Sequence, residues 1–153
     1  MNKELKILMG LPGSGKSHKA KTLAPLENIF STDDYWINAE GEYIIDMRRI
    51  GMAHDWNKLR TLEAMIAGKT PICVDNTNLS HKERLPYIQM GKDNGYDIEV
   101  VLPDSTWFEA ILPRLRDKTY TDEDAQVFFE RNTHGVPYNV VKAMMNRWNE
   151  SEL

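Results

Sequence analysis

The amino-acid sequence predicts a three-layer α/β fold, in which a mostly parallel sheet of about four strands carries helices on both faces. Three observations lead there. Short apolar runs alternate with helical patterns along the chain, as expected of strands joined by helical crossovers. A glycine-rich stretch, Gly10 to Ser17, lies between the first apolar run and the first helical segment. Polar clusters follow the second and third runs, at the strand ends where ligands of such sheets bind. A chain of 153 residues is long enough for one domain with a real core, and no repeat, linker or low-complexity segment divides it. Residues 1–153 are therefore expected to form a single unit.

In order, Leu5 to Met9 reads as a buried strand. Gly10-Leu11-Pro12-Gly13-Ser14-Gly15-Lys16-Ser17 fits G-x-x-x-x-G-K-[ST], the phosphate-binding P-loop. His18 to Ala24 is free of Gly and Pro and reads as a helix that Pro25 stops. Asn28 to Thr32 is a second strand, running into Asp33-Asp34-Tyr35-Trp36, and a polar loop containing Gly41 follows. From Asp46 to Ala67 one long helical pattern places Ile50, Ala53, Trp56, Leu59, Met65 and Ile66 near helical spacing, with Gly68 as its C′ residue. Thr70 to Val74 is a third strand, leading to Asp75-Asn76-Thr77-Asn78.

Ser80 and Glu83 form a capping box for a helix that ends near Gly95 and holds Pro86 in its first turns. Asp97 to Leu102 is the fourth strand. Thr106 and Glu109 suggest another capping box, and Pro113 is expected to end or kink that helix. Arg114 to Thr121 reads as a mobile, basic and polar loop. Thr121 with Asp124 opens a further helix, which Arg131-Asn-Thr-His134-Gly-Val-Pro137 interrupts. With Pro137 at N1, a closing helix carries Val140, Val141, Met144, Met145 and Trp148. Residues 113–136 are the expected helical lid.

Composition narrows the functional classes. Hydrophobic residues at 41% and charged residues at 27% suit an ordinary globular domain. No apolar run is long enough to cross a bilayer, and the start does not read as a signal peptide. A single cysteine, Cys73 in an apolar run, excludes an internal disulfide and suggests a cytoplasmic setting. A net charge of −4 argues against a protein that coats nucleic acid nonspecifically, while allowing an enzyme that grips one strand end.

The P-loop residues Gly10 through Ser17, with His18 beyond them, are the expected nucleotide-binding set. Its glycines let successive N–H groups curl around phosphate oxygens at the positive end of the helix. Lys16 would reach the β- and γ-phosphates, and the Ser17 hydroxyl would ligate Mg²⁺. Phosphoryl transfer to an alcohol also needs a base for the attacking hydroxyl. Asp33 is the first choice and Asp34 the second. Asp75, at the end of an apolar strand, has the setting of a Walker B carboxylate that holds Mg²⁺. Asn76, Thr77 and Asn78 could position substrate, and Tyr35 and Trp36 could stack on a nucleobase or pack in the core. A cationic clamp on the transferring group falls to Arg131, with Arg114 and Arg116 as alternatives. His54, His81 and His134 lack metal-ligand spacing.

Taken together, Gly10 to Ser17, Phe30-Ser-Thr-Asp33-Asp34-Tyr35, Val74-Asp-Asn-Thr-Asn-Leu79, Asp104-x-x-Trp107 and Arg131-Asn-x-x-Gly-Val-Pro137 occur in this order in a family of small P-loop kinases. Over nearly its whole length the sequence resembles the kinase domain of the T-even bacteriophage polynucleotide kinase and the small AAA-domain ATP-binding proteins related to it. The resemblance implies a kinase-like P-loop NTPase fold and an ATP- and Mg²⁺-dependent transfer to the 5′-hydroxyl of DNA or RNA. Asp33 matches that family's catalytic base, and Lys16 and Ser17 match its phosphate and metal residues. Three features depart from the pattern. Trp36 stands where the phage kinase has arginine, His18 stands where threonine is usual, and the connection from Leu112 to Gln126 is longer. A hydroxymethylated DNA base, a nucleoside or a small metabolite remains open as acceptor, as does a nucleotide-binding module without catalysis. No phosphatase half is expected.

Overall fold

The computed structural model describes residues 2–151. Strands β1 (Lys3–Leu8), β2 (Ile29–Phe30), β3 (Ile72–Val74) and β4 (Tyr96–Val101) form one sheet in the order β2-β3-β1-β4, every pair parallel. Six α-helices accompany it among the described residues: α1 (Lys16–Leu23), α2 (Ile50–Ile66), α3 (His81–Asp93), α4 (Thr106–Asp117), α5 (Asp122–Arg131) and α6 (Tyr138–Arg147). This is the α/β architecture that the alternating pattern implies.

The period-2 alternation of the strands divides the core. Leu5, Ile7, Phe30, Ile72 and Val74 face α2 and α3 and pack on Ala64, Met65 and Tyr87. Leu8 and Cys73 face the other way and pack on Ala20 of α1 and on Ala24 just after it. A third cluster continues past the end of β1, where Met9 and Leu11 meet Phe108, Leu115, Phe128 and Met145 of α4 to α6 and Trp148 just beyond α6. Burial pushes the Cys73 thiol up to about 12, so it stays protonated and inert.

Several local expectations change on contact with tertiary structure. In α2, Leu59 and Ile66 are exposed, whereas Asn57 and Thr61 are buried. The two polar side chains tolerate burial because each has a partner: the Asn57 amide donates to the Tyr87 hydroxyl at 3.0 Å, and the Thr61 hydroxyl to the Asn57 carbonyl at 2.7 Å. Strand β2 is only two residues long, since Thr32–Trp36 coils into a 3₁₀ turn. The Ser80 hydroxyl bonds the Glu83 carboxylate instead of a backbone amide, and Ser105 rather than Thr106 precedes α4. Pro137 is the N-cap of α6, one position earlier than expected.

The largest difference lies at Pro113. Helix α4 passes through it to Asp117, and Lys118 ends the helix in the left-handed region, φ 63°. The first half of the loop expected at 114–121 is thus helix. Leu115 is fully buried on one side, and Arg114 is fastened to Asp124 by two bonds of 2.8 and 2.7 Å. Asp124 is the residue that closes the capping box of α5 with Thr121, as the sequence suggests. Residues 113–136 hold the end of α4 and all of α5, which are anchored to the core through Leu115, Ala125 and Phe128.

Candidate active site

The site is assembled at the carboxyl ends of β1, β2 and β3. As the chain leaves β1, the Met9 amide donates to the Val101 carbonyl at 2.9 Å and the Gly10 amide to the Thr77 carbonyl at 3.0 Å, so both neighbouring connections hold the loop. A Cβ on Gly10 would come within 2.7 Å of the Lys16 side chain and of Ser14 Oγ. Gly13 has φ +78°, and a Cβ there would lie 2.4 Å from the Phe128 carbonyl oxygen. Gly15, at φ 91°, precedes α1 without any side-chain cap, which leaves the first-turn amides of Lys16, Ser17 and His18 unclaimed by a cap, an arrangement suited to binding an anion.

Asp75 follows β3, its amide held by the Phe30 carbonyl at 2.9 Å. Its carboxylate meets the P-loop: Ser17 Oγ donates to Oδ2 at 3.3 Å, and Lys16 Nζ lies 3.8 Å from Oδ1. Oδ1 is buried and makes no hydrogen bond within the protein. A buried carboxylate oxygen left this way, beside a serine hydroxyl at the end of a phosphate loop, fits a divalent cation. With one carboxylate and one hydroxyl in place, the remaining ligands would be phosphate oxygens and water.

Asp33 lies in the 3₁₀ turn after β2. It shares a cavity of ≈ 350 Å³ with Lys16, Ser17, Asp75 and His134. Its carboxylate is held from two sides: the Tyr43 hydroxyl donates to Oδ1 at 3.3 Å, and His134 Nε2 lies 3.4 Å from Oδ2. Burial, followed by the nearby Asp33 charge, pushes the Tyr43 hydroxyl up to about 12, so it remains a donor. Asp34 lines the same cavity, but its carboxylate is paired with Arg60 at 2.7 Å. Arg60 is itself fixed by the Ser31 carbonyl, the Asn57 side chain and the face of Trp56.

The remaining residues singled out in the sequence separate into two groups. Pro12, Gly13, Gly15, Lys16, Ser17 and His18 line a second cavity of ≈ 400 Å³ with Trp107, Arg131 and His134. There the Arg131 guanidinium lies 4.3 Å from the centre of the Trp107 ring. Trp36 and Thr77 line a third, largely apolar chamber of ≈ 460 Å³ that opens from Asp33 and Lys16 between residues 43–50 and 134–144. Tyr35 turns away, edge-on to Trp36 and Trp56, its hydroxyl accepting from Arg49 at 2.6 Å. Asn76 and Asn78 serve the scaffold: Asn76 Oδ1 accepts from the Thr32 amide at 2.9 Å, and the Asn78 amide donates to the Leu8 carbonyl at 2.7 Å. Arg114 and Arg116 are both committed to bidentate pairs, with Asp124 and Glu150.

Tyr43, His134 and Trp107 are the contacts that sequence reasoning missed. Tyr43 lies in a stretch without periodicity, brought to Asp33 by a single bridge between Ile37 and Tyr43. His134 is separated from Asp33 by a hundred residues, and nothing in its neighbourhood marks the pairing.

Comparison with known proteins agrees with this fold. A family model described as an AAA domain matches residues 5–147. Human NEDD4-binding protein 2 is 36% identical over 148 residues, a match covering 94% of this chain and 8% of that protein. The chain therefore spans less than a tenth of that relative's length. Among solved structures, a chain of the Pnkp1/Rnl/Hen1 RNA repair complex superposes with a TM-score of 0.62 at 19% identity, covering 96% of this chain and 44% of that one. A proposed kinase from Chloroflexus aurantiacus gives a TM-score of 0.54 at 16% identity, covering 86% and 77%. At these identities the likeness establishes the fold, which is that of the P-loop kinases.

Proposed function

The chain belongs to the AAA-domain family of P-loop proteins, and on that premise we propose that it is an ATP-dependent kinase that transfers the γ-phosphate to the 5′-hydroxyl of DNA or RNA. The observation that carries this reading is the placement of Asp33 across one cavity from Lys16, Ser17 and Asp75. A phosphate-holding loop facing a half-exposed carboxylate is the arrangement that transfer to a hydroxyl requires.

In this mechanism the amides from Gly13 to His18 cradle the β- and γ-phosphates of ATP, and Lys16 places its charge beside them. Ser17 and Asp75 hold the divalent ion, Mg²⁺ in this reading; when bound, it neutralises charge on the phosphate oxygens. Asp33 accepts the proton of the acceptor hydroxyl. The hydroxyl oxygen bonds to the γ-phosphorus as the bond to the bridging oxygen breaks, and ADP leaves. Arg131 serves as the cationic clamp once it leaves Trp107 and turns toward the γ-phosphate. Because α4 and α5 are anchored in the core, the movement is that of the Arg131 side chain at the end of α5.

The chamber beyond Asp33 supports an acceptor with a flat, apolar body. It is lined by Trp36, Tyr43, Ile45, Met47 and Val136 among others, and Lys16 is the one lysine or arginine among its described lining residues. A terminal nucleobase matches that chemistry, as does the neighbour's membership of an RNA repair complex. Trp36 in place of arginine favours recognition by the ring over recognition by phosphate, so a nucleoside or a hydroxymethylated base is the second reading, ahead of a small polar metabolite. The complete set of Lys16, Ser17, Asp33 and Asp75 argues against a module without catalysis. The test is transfer of labelled γ-phosphate to a panel of 5′-hydroxyl oligonucleotides, hydroxymethylated DNA and nucleosides. Transfer to the oligonucleotides is the expected result, and transfer only to another class, or to none, contradicts the proposal.

A further inference from the structure

His134 stands at a junction. Of the described residues, it and Lys16 line all three cavities: the one at the P-loop and Arg131, the one holding Asp33 and Asp75, and the apolar chamber. It lies in the connection from α5 to α6, directly before Gly135 at φ +68°, a backbone conformation that favours glycine. The connection is not loose. Asn132 Oδ1 accepts from the Val136 amide at 3.0 Å, and the Asn132 amide is held by the Phe128 carbonyl at 3.0 Å. The same backbone abuts the P-loop, where a Cβ on Gly13 would lie 2.4 Å from the Phe128 carbonyl oxygen and 2.8 Å from the Asn132 nitrogen.

On the opposite side Tyr43 reaches Asp33 from the stretch after the 3₁₀ turn, and its ring lies 5.4 Å from the imidazole, tilted by 35°. One carboxylate oxygen of Asp33 thus accepts from Tyr43, and the other lies within ion-pair range of His134, 3.4 Å away. The side chain is 45% exposed, too open for packing alone to fix its rotamer. A carboxylate that must meet an incoming hydroxyl within hydrogen-bond range needs its orientation fixed by such partners. Each carboxylate oxygen accepts more than one hydrogen bond, so both partners can remain while the acceptor's proton arrives.

We propose that Tyr43 and His134 are positioning residues that clamp the Asp33 carboxylate from both sides, so that the base is aligned only while the 131–137 connection is seated beside the P-loop. The inference rests on Asp33 acting as the base. It makes His134 the link between occupancy of the ATP side and readiness of the acceptor side, since one short segment carries both Arg131 and His134.

The experiment is single-turnover γ-phosphate transfer to a 5′-hydroxyl oligonucleotide by wild type, His134→Ala, His134→Gln, Asp33→Asn and the His134→Ala/Asp33→Asn double variant, with ATP affinity and Tm measured on each. Misaligning the base should slow transfer by roughly tenfold to a hundredfold in His134→Ala while ATP affinity and Tm change little. His134→Gln, which keeps an N–H donor at similar reach, should recover most of the rate. In the double variant the histidine change should cost nothing further, because it acts through Asp33. The clamp is overturned if His134→Ala transfers at the wild-type rate, if His134→Gln is as slow as His134→Ala, or if the two losses multiply in the double variant. Failure of wild type to phosphorylate any acceptor, by contrast, removes the kinase reading itself.

Discussion

Arg84 offers a sharp test of how the site is braced from behind. It is fully buried in α3, and its guanidinium holds three backbone carbonyls: Asn78 at 2.9 Å through Nη1, and Asn149 at 3.0 Å and Ser151 at 2.9 Å through Nη2. It thus ties the turn after Asp75 to the segment following α6. Burial pulls its pKa below the usual arginine value, yet a guanidinium remains charged at neutral pH. Replacing it with leucine removes three hydrogen bonds to a charged donor, each worth about 1.5–3 kcal/mol. The full sum does not apply. Asn149 and Ser151 are exposed and can turn their carbonyls to water, whereas the Asn78 carbonyl stays inside. Leucine also escapes the cost of burying a charge. A loss of about 3 kcal/mol follows, the upper end for leaving one buried acceptor without its partner. For a domain of this size that corresponds to a fall in Tm of roughly 6–12 °C, read by circular dichroism on heating. Arg84→Lys, which can satisfy fewer of these acceptors, should fall between the two. A shift under about 2 °C for Arg84→Leu would show that the buried arginine does not brace this turn.

Other predictions address the nucleotide side and the acid stability. Saturating ATP with Mg²⁺, at about a hundred times Kd, should stabilise the wild type by roughly 2.7 kcal/mol; Lys16→Ala should lose most of that shift, and an equal shift in both proteins would rule out the P-loop assignment. Arg131→Ala should slow single-turnover transfer by roughly 10²-fold or more while ATP affinity changes little, as expected of a contact made mainly in the transition state; a larger defect in Arg114→Ala would place the clamp in α4 instead. Asp124 is held below the usual carboxylate range, first by its hydrogen bonds from the Arg114 guanidinium. A lowered folded-state pKa adds stability that is complete above the ordinary Asp value of about 3.9 and is lost as pH falls through the lowered one. Asp124→Asn should therefore be less stable than wild type at neutral pH and converge with it in strong acid; a stability gap that stays constant across that range would refute the linkage.

The sequence carried most of the fold because each local signal agreed with the next. The alternation of apolar runs and helical stretches implied a parallel sheet, and Gly10 to Ser17 located its ligand edge. It failed where tertiary contacts outweighed local preference. Pro113 looked like a helix end, but Leu115 buried behind it and Arg114 paired with Asp124 hold the last turn of α4 in place. Leu59 and Ile66 looked like core, but Asn57 found partners in Tyr87 and Phe30 and took the inner face of α2. At the site, the residues bound to local motifs were legible: Lys16, Ser17 and Asp75 do converge. Residues whose role arises from distant pairing were not. Asp34 and Arg60, Asp33 and His134, and Arg131 and Trp107 meet only in three dimensions, and no spacing in the chain announces them.

In the proposed reaction Asp33, and not Asp34, is the base. The deciding experiment is single-turnover transfer of labelled γ-phosphate from ATP to a 5′-hydroxyl oligonucleotide by wild type, Asp33→Asn and Asp34→Asn, with ATP binding measured in parallel. Asp33→Asn should lose roughly 10²-fold or more in rate with ATP affinity nearly intact, the usual scale for removing a general base. Asp34→Asn should keep transferring phosphate, since its carboxylate is paired with Arg60 at 2.7 Å. An active Asp33→Asn beside a crippled Asp34→Asn would contradict the account.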